Sequence, residues 1–137
     1  MSEVIISLKP KYAKMIKDGK KNHEFRSRIP KDIPSLLLTY VTVPVAKLMY
    51  LFEVETPVVY PNKIEENGIG NVEFNKGERK GKYAYPILHM FELVEPIPLE
   101  RLKTEFGFTP PQSFAYSKKY EELMNYLNKN GKMIKIF

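Results

Sequence analysis

Residues 19–28 read GKKNHEFRSR, a glycine followed by a short stretch crowded with charged side chains. Glycine often follows the last turn of a helix because it adopts left-handed conformations without strain, so Gly19 predicts a helix end and a strand after it. Side chains alternate between the two faces of a strand, which predicts one polar face and one core face. Phe25 and Ile29 form the expected core face. The expected polar face comprises Glu24, Arg26 and Arg28.

The polar face has two interpretations that the sequence leaves open. Lys21 is expected in the turn after Gly19, from which its side chain can reach either face of the strand. Together with the arginines it could bind phosphate or a base edge, because a guanidinium presents a planar fork of donors, while Glu24 accepts a hydrogen bond. Alternatively, Glu24 and Arg26 form an exposed ion pair worth about 0–1 kcal/mol. His23, between charged neighbours, is expected to be a structural group.

The rest of the chain predicts the element order β-α-β-β-β-loop-β-α-α-β. Strands are expected over 3–9, the motif, 36–43, 47–54, 83–94 and 132–137. Helices are expected to begin at Pro10, Pro98 and Ser117 and to end before Gly19, Gly107 and Gly131. The polar segment 61–81 predicts a long loop with a short helix near 63–67. Because strands and helices do not alternate regularly, we predict an α+β fold, a small mixed β-barrel with peripheral helices, in one domain covering residues 1–137.

The charge is concentrated near the start of the chain. Residues 1–32 carry nine Lys or Arg and four acids, which accounts for +5 of the net +6. Such a local excess is typical of a face that binds phosphates, although a solvated lysine-rich helix would give the same pattern. Without cysteine and with two histidines, no metal and no other cofactor are expected. No apolar run is long enough to span a membrane, and a cytoplasmic location is expected.

The motif resembles that of a known family. Gly19, Lys21, Glu24 and Arg26 match every fixed position of G-x-K-x-x-E-x-R, the pattern after the first helix of the ASCH family in the PUA-like superfamily. The resemblance extends along most of the chain. It includes SLKPKYAKMIKDGKK (7–21), LLLTYVTVPVAKLMYLFEVE (36–55) with its Y-x-T-x-P turn at Tyr40, Thr42 and Pro44, and FGFTPPQSF (106–114).

The resemblance implies a small β-barrel with a cleft beside the motif that binds RNA or a modified nucleobase or nucleoside. The expected ligand-binding residues are Lys21, Glu24, Arg26, Arg28, Tyr40 and Thr42.

It also implies an alternative, because some small ASCH proteins are amidohydrolases that deacylate N4-acetylcytidine. Their motif lysine acts with a threonine at the motif's glutamate position and a glutamate from a later loop. Here Lys21 would be base or nucleophile and Glu24 its catalytic partner. The later acid would be Glu65, Glu66 or Glu73. Since Glu24 replaces the threonine, we expect a binding module rather than an enzyme.

Overall fold

Eight strands form one curved, mixed sheet in the computed structural model, which describes residues 2–137. The strands are β1 (Ser2–Leu8), β2 (His23–Arg26), β3 (Pro34–Val41), β4 (Lys47–Val54), β5 (Val58–Val59), β6 (Tyr83–Pro98), β7 (Ala115–Tyr116) and β8 (Met133–Lys135). The helices are α1 (Pro10–Lys17), α2 (Asn71–Asn75), α3 (Leu99–Phe106) and α4 (Glu121–Asn130). A 3-10 turn over Ser117–Tyr120 leads into α4.

The strands follow the order β2-β6-β4-β3-β1-β7, with β5 and β8 also pairing with β6. The pairing of β1 with β3 is parallel and all the other pairings are antiparallel. At 16 residues, β6 is long enough to pair with β4 and β8 along one part and with β2 and β5 along another. The sheet therefore curls into a half-barrel, and the predicted α+β class with a mixed sheet and peripheral helices is confirmed.

The core lies on both faces of the sheet because the inner strands are apolar on both sides. On one face, Ile16 of α1 packs with Val4 and Phe52 of the sheet. On the other face, Leu102 of α3 and Leu123 of α4 pack with residues of opposite parity, such as Ile5. A third, smaller cluster joins Phe25, Phe74 and Ala84, and it anchors the long loop to β2 and β6.

Two local expectations are wrong. The short helix of the long loop lies at Asn71–Asn75, not at 63–67, because Gly70, in the left-handed region at φ +91°, begins it. Residues near Ile64 are instead fastened by the Asn75 side chain, which bonds both the N–H and the C=O of Ile64. Ser117 does not cap a helix with its side chain; it begins the 3-10 turn, and α4 starts at Glu121.

In the part of the chain that the structure describes, none of the helices has the length and apolar character needed to cross a membrane.

Replacing Gly70 with alanine is expected to cost more stability than the same change at Gly107. Both glycines have positive φ, +91° and +61°, which costs a residue with a Cβ about 1–2 kcal/mol. A Cβ at Gly70 would also lie 2.8 Å from the Phe25 ring, whereas one at Gly107 meets nothing within 4 Å. We expect Gly70→Ala to lower the free energy of unfolding by about 2–4 kcal/mol. Urea titrations that gave equal losses for both variants would contradict this packing.

Candidate nucleic-acid interface

Lys21 lies between α1 and β2, in the predicted turn, but its side chain is buried rather than free to swing. It is 4 % exposed. Its Nζ donates a hydrogen bond to the carbonyl oxygen of His23 and lies 3.5 Å from Glu24 Oε1. Burial lowers the pKa of Lys21, since the charged form loses water, and the charges of Arg79 and Arg26 lower it further, while Glu24 opposes them. The ammonium is therefore held by contacts within the motif.

Arg26 connects the motif to two other parts of the chain. Its Nε donates to Glu24 Oε2 at 2.9 Å, so the Glu24 carboxylate is shared between Lys21 and Arg26. The other guanidinium nitrogens donate to the carbonyl oxygens of Ser7 in β1 at 2.8 Å and of Ser113 at 3.3 Å. The side chains of Glu24 and Arg26 are 5 % and 15 % exposed, so this is a buried network and not the exposed ion pair that was the second interpretation of the motif.

Tyr85 of β6 lies opposite Glu24 in the β2–β6 pairing and extends the network. Burial raises the pKa of Tyr85 to about 12, the positive charge of Arg26 lowers it, and the negative charge of Glu24 raises it. The phenol is thus neutral at physiological pH and can donate a hydrogen bond.

The aromatic ring of Phe25 holds a second cation beside the motif. Lys21 Nζ lies 4.4 Å from the ring centroid and the Arg79 guanidinium lies 4.3 Å from it, both within cation–π range. Arg79 belongs to the 61–81 loop, and its buried Nε has no hydrogen-bond partner among the described residues. The loop therefore adds positive charge close to Lys21, although the motif strand supplies the aromatic ring.

Asn22 fastens the same loop to the start of β2. Its Nδ2 donates to Asn67 Oδ1 at 2.9 Å, and its Oδ1 accepts from Asn71 Nδ2 at 3.0 Å. The Asn22 Oδ1 also lies 2.7 Å from His23 Nδ1, so His23 is a structural group here, as expected. Burial, with the nearby charge of Lys21, lowers the pKa of His23 to about 4. Asn22, Asn67 and Asn71 thus form one polar cluster that orders the loop.

A cavity of about 380 Å³ opens beside Lys21, at the end of α1. Ile87, Ile136 and Phe137 give it apolar walls, and the charged residues that line it are Lys17, Asp18 and Lys21. Its volume lies within the range of about 300–1,000 Å³ that is typical of small-molecule sites. An apolar cavity with a few cationic groups can hold a flat base and neutralise a phosphate.

Not all of the predicted site residues meet at this place. Lys21, Glu24 and Arg26 meet in the motif network, although of these three only Lys21 lines the cavity. Arg28 is exposed beyond the end of β2. Tyr40 is 2 % exposed and packs on Phe108 in the core of the opposite sheet face, where burial raises its pKa. Thr42 follows the last residue of β3, and its N–H donates to the carbonyl oxygen of Leu8. Among the described residues, none of Arg28, Tyr40 and Thr42 is hydrogen-bonded or ion-paired to the side chains of Lys21, Glu24 and Arg26.

The later-loop acids also lie apart from Lys21. Glu65, Glu66 and Glu73 are exposed, and Glu66 accepts a hydrogen bond from Asn75. Within residues 2–137, none of them is hydrogen-bonded or ion-paired to Lys21. The same part of the chain contains no group of three or more His, Asp or Glu side chains placed to hold a metal ion.

The sequence reasoning missed several residues of the interface. Tyr12 of α1 places its ring 5.9 Å from Lys21 Nζ, and Lys17 lines the cavity. Ile87 and Ile136 come from distant strands, and no local pattern connects them to the motif. Ser7 and Ser113 take part through their main-chain carbonyl groups, and the sequence does not reveal main-chain contacts of this kind.

Solved structures of an ASCH protein of Zymomonas mobilis share this architecture. A tyrosine-to-phenylalanine mutant of ZmASCH matches this chain with a TM-score of 0.68 and 26 % sequence identity. The match covers 91 % of this chain and 98 % of that chain. The structure of ASCH from the same organism gives a TM-score of 0.65 and 27 % identity, with 90 % and 94 % covered. The half-barrel is therefore of the ASCH type.

The sequence comparisons give the family. The model of the ASCH domain matches residues 6–130. A protein of Zymomonas mobilis subsp. mobilis named "ASCH domain-containing ribonuclease" is 32 % identical over 131 residues, which cover 87 % of this chain and 86 % of that protein. This chain belongs to the ASCH domain family.

Removing the Glu24 carboxylate is expected to destabilise the fold strongly. Glu24→Ala leaves Lys21 and Arg26 largely buried without their counter-charge, and breaking a buried pair in this way costs roughly 3–5 kcal/mol. Glu105→Ala is the matched control, since it removes the carboxylate of the exposed Arg101–Glu105 pair. Its effect on the free energy of unfolding should be small. Similar denaturation midpoints for the two variants would show that the motif network contributes no more than a surface pair.

His23 is expected to make the protein less stable as the pH falls from about 6.5 to about 4. Its pKa is lower in the folded chain than the usual 6.5, so the folded state favours the neutral ring. The resulting stability is fully present above pH 6.5 and is lost as the pH falls towards the folded pKa. Thermal melts should therefore show a steeper acid decline for the wild type than for His23→Gln. Parallel declines of the two melting temperatures over this range would rule out the contribution.

Proposed function

We propose that this chain binds RNA and that the cavity beside Lys21 takes one nucleoside unit of the strand. The observation that carries the proposal is the position of Lys21, a cation held by Glu24 and His23 at the wall of an apolar cavity. Apolar walls suit the faces of a base, and lysine neutralises a phosphate as a point charge. The name of the Zymomonas relative, a ribonuclease, supports RNA as the ligand class.

The electrostatics around the cavity also support this proposal. Lys11, Lys14 and Lys17 follow one another at three-residue spacing on α1, and Lys14 and Lys17 are exposed. Residues at this spacing are neighbours on one helix surface, so the three ammonium groups form a row. The row ends at the cavity, because Lys17 lines it. An RNA backbone that follows α1 would be led to Lys21.

RNA cleavage is a second candidate, which the name of the relative favours. A lysine with a lowered pKa gives up its proton more easily and is a better general base than an ordinary lysine. In this candidate, Lys21 takes the proton of a ribose 2′-hydroxyl, whose oxygen attacks the neighbouring phosphorus to form a 2′,3′-cyclic phosphate. The 5′-oxygen leaves and takes up a proton from water. Arg26 and Arg79 supply the nearby positive charge that lowers the pKa of Lys21.

Deacylation of an N4-acylated cytidine remains the alternative enzymatic function. The lowered pKa of Lys21 favours it, as for RNA cleavage. The position of Glu24 opposes it, because both carboxylate oxygens are engaged, one by Lys21 and the other by Arg26. Glu24 is therefore a group that positions Lys21 rather than a free nucleophile.

We expect the affinity for single-stranded RNA to fall steeply with salt and to depend on the cavity lysines. Fluorescence polarisation of a labelled oligoribonucleotide, titrated at several salt concentrations, measures both properties. Lys21→Met and Lys17→Ala should each weaken binding at least about tenfold, and each phosphate that is no longer neutralised should reduce the log–log salt slope by about 0.7. Lys103→Ala removes the same charge from an exposed position on α3 and should change little.

The same samples separate the three candidates. Shortened RNA on a denaturing gel, absent with Lys21→Met, would establish cleavage, and acetate released from N4-acetylcytidine would establish deacylation. No binding by the wild type, or equal reductions in affinity for Lys21→Met, Lys17→Ala and Lys103→Ala, would overturn the proposal. Circular dichroism distinguishes an unfolded Lys21→Met from a folded one, and Lys17→Ala, whose side chain is 43 % exposed in the wild type, provides a test that does not depend on the buried lysine.

A further inference from the structure

A second cavity lies along α1 and meets the one beside Lys21. It also measures about 380 Å³, and it separates α1 from the hairpin of β3 and β4. The two cavities share Lys17 and Asp18 at the end of α1. No residue of the motif lines the second cavity, which we call the α1–hairpin groove. Its lining residues are Pro10, Ala13, Lys14, Lys17, Asp18, Val41, Val45, Met49 and Tyr50.

The floor of the α1–hairpin groove is apolar and firmly held. Val41 and Tyr50 are buried, and Val45 and Met49 are half-buried. The turn that carries Val45 is ordered by the Thr42 carbonyl, which accepts hydrogen bonds from the N–H groups of Val45 and Ala46. The Tyr50 ring stacks on Phe52 at 6.2 Å with an interplanar angle of 25°. The groove is thus a preformed slot and not a gap between loose side chains.

The rim of the groove is cationic and easily rearranged. Lys14 Nζ lies 3.1 Å from Asp18 Oδ2, and Lys17 Nζ lies 2.9 Å from Glu92 Oε1. The two lysine side chains are 76 % and 43 % exposed. Exposed pairs of this kind contribute about 0–1 kcal/mol, so a phosphate can take the place of either carboxylate at little cost.

A polar end completes the slot. Tyr50 lies opposite Glu92 in the β4–β6 pairing, and Glu92 is the ion-pair partner of Lys17. Burial and the charge of Glu92 raise the pKa of Tyr50, while the charge of Lys17 lowers it. A neutral phenol can donate to, and accept from, a base edge. Apolar walls, a phenol and two lysines together match a nucleotide, which has an apolar face, a polar edge and an anion.

We propose that the α1–hairpin groove holds the base of a second nucleotide, adjacent on the same RNA strand to the one beside Lys21. The phosphate between the two nucleotides contacts Lys17, which both cavities share. This inference rests on the proposed function and adds a second subsite to it. The two exposed lysines at the rim favour an occupant that carries phosphate, and the apolar floor favours one with a flat apolar group, which a nucleotide combines.

Methionine methyl groups report directly on occupancy of this subsite. The chain has six methionines. Met49 lines the groove, whereas Met124 and Met133 line a separate groove under α4 and serve as internal controls. The wild-type protein, labelled with carbon-13 at its methionine methyl groups, is titrated with adenosine 5′-monophosphate, with the 5′-phosphorylated dinucleotide pApA and with anionic phospholipid vesicles. Met49→Leu assigns the resonance.

We expect pApA to shift the Met49 methyl resonance and to leave those of Met124 and Met133 unchanged. The mononucleotide, which fills only the site beside Lys21, should shift Met49 much less. In polarisation assays, Met49→Ala should weaken the binding of an RNA oligonucleotide at least about fivefold, because the base loses a side chain on which it packs. The control variant Met124→Ala should leave the affinity unchanged.

The outcomes separate this inference from the function on which it rests. RNA that binds with a Lys21-dependent affinity but leaves Met49 unmoved would overturn the second subsite alone. Equal Met49 shifts with the mononucleotide and with pApA would also overturn it, because the groove would then be the first site. Shifts with vesicles but not with pApA would identify a lipid surface instead. The absence of any RNA binding would overturn both proposals.

Discussion

The Glu24 carboxylate, shared between Lys21 and Arg26, is the interaction on which the rest of the interface depends. Taking three charges out of water is costly, so each of them must be paired and hydrogen-bonded for the fold to hold. The network meets this requirement by recruiting main-chain oxygens of His23, Ser7 and Ser113. Because these oxygens belong to the motif, to β1 and to the segment before β7, one carboxylate fixes the relative positions of three parts of the chain.

This arrangement also fixes the position of Lys21, which is one of the residues that line the cavity. Lys21 cannot move away without leaving Glu24 with Arg26 alone, and the pKa of Lys21 is lowered by the same burial that immobilises it. Phe25 holds Arg79 of the long loop nearby, so the positive potential does not rest on Lys21 alone. A fixed cation beside apolar walls loses little freedom when it binds an anion, which is the usual advantage of a preorganised site.

The motif strand shows where prediction from the sequence succeeds and where it fails. The turn position of Lys21 and the meeting of Glu24 with Arg26 were predicted from alternation and spacing, and the structure agrees. Arg28 was expected on the same face, but the strand ends at Arg26, so alternation no longer applies to it. Tyr40 was expected at the binding site, but it lies in the middle of a sheet that has helices on both faces. A side chain at such a position is buried whichever face it points to. The loop helix lies later in the chain than expected, because Gly70 determines where it begins.

The sequence by itself determined the family motif, the mixed α+β class and the basic character of the first 32 residues. These properties follow from local rules, namely glycine and proline at element ends and alternation within strands, which need no knowledge of distant contacts. Only the tertiary structure decided that the motif is buried, that Ser7, Ser113 and Arg79 surround it, and that Ile87, Ile136 and Phe137 form a cavity with it. Burial and pKa depend on residues that are far apart in sequence, and a linear pattern does not encode which of them pack together.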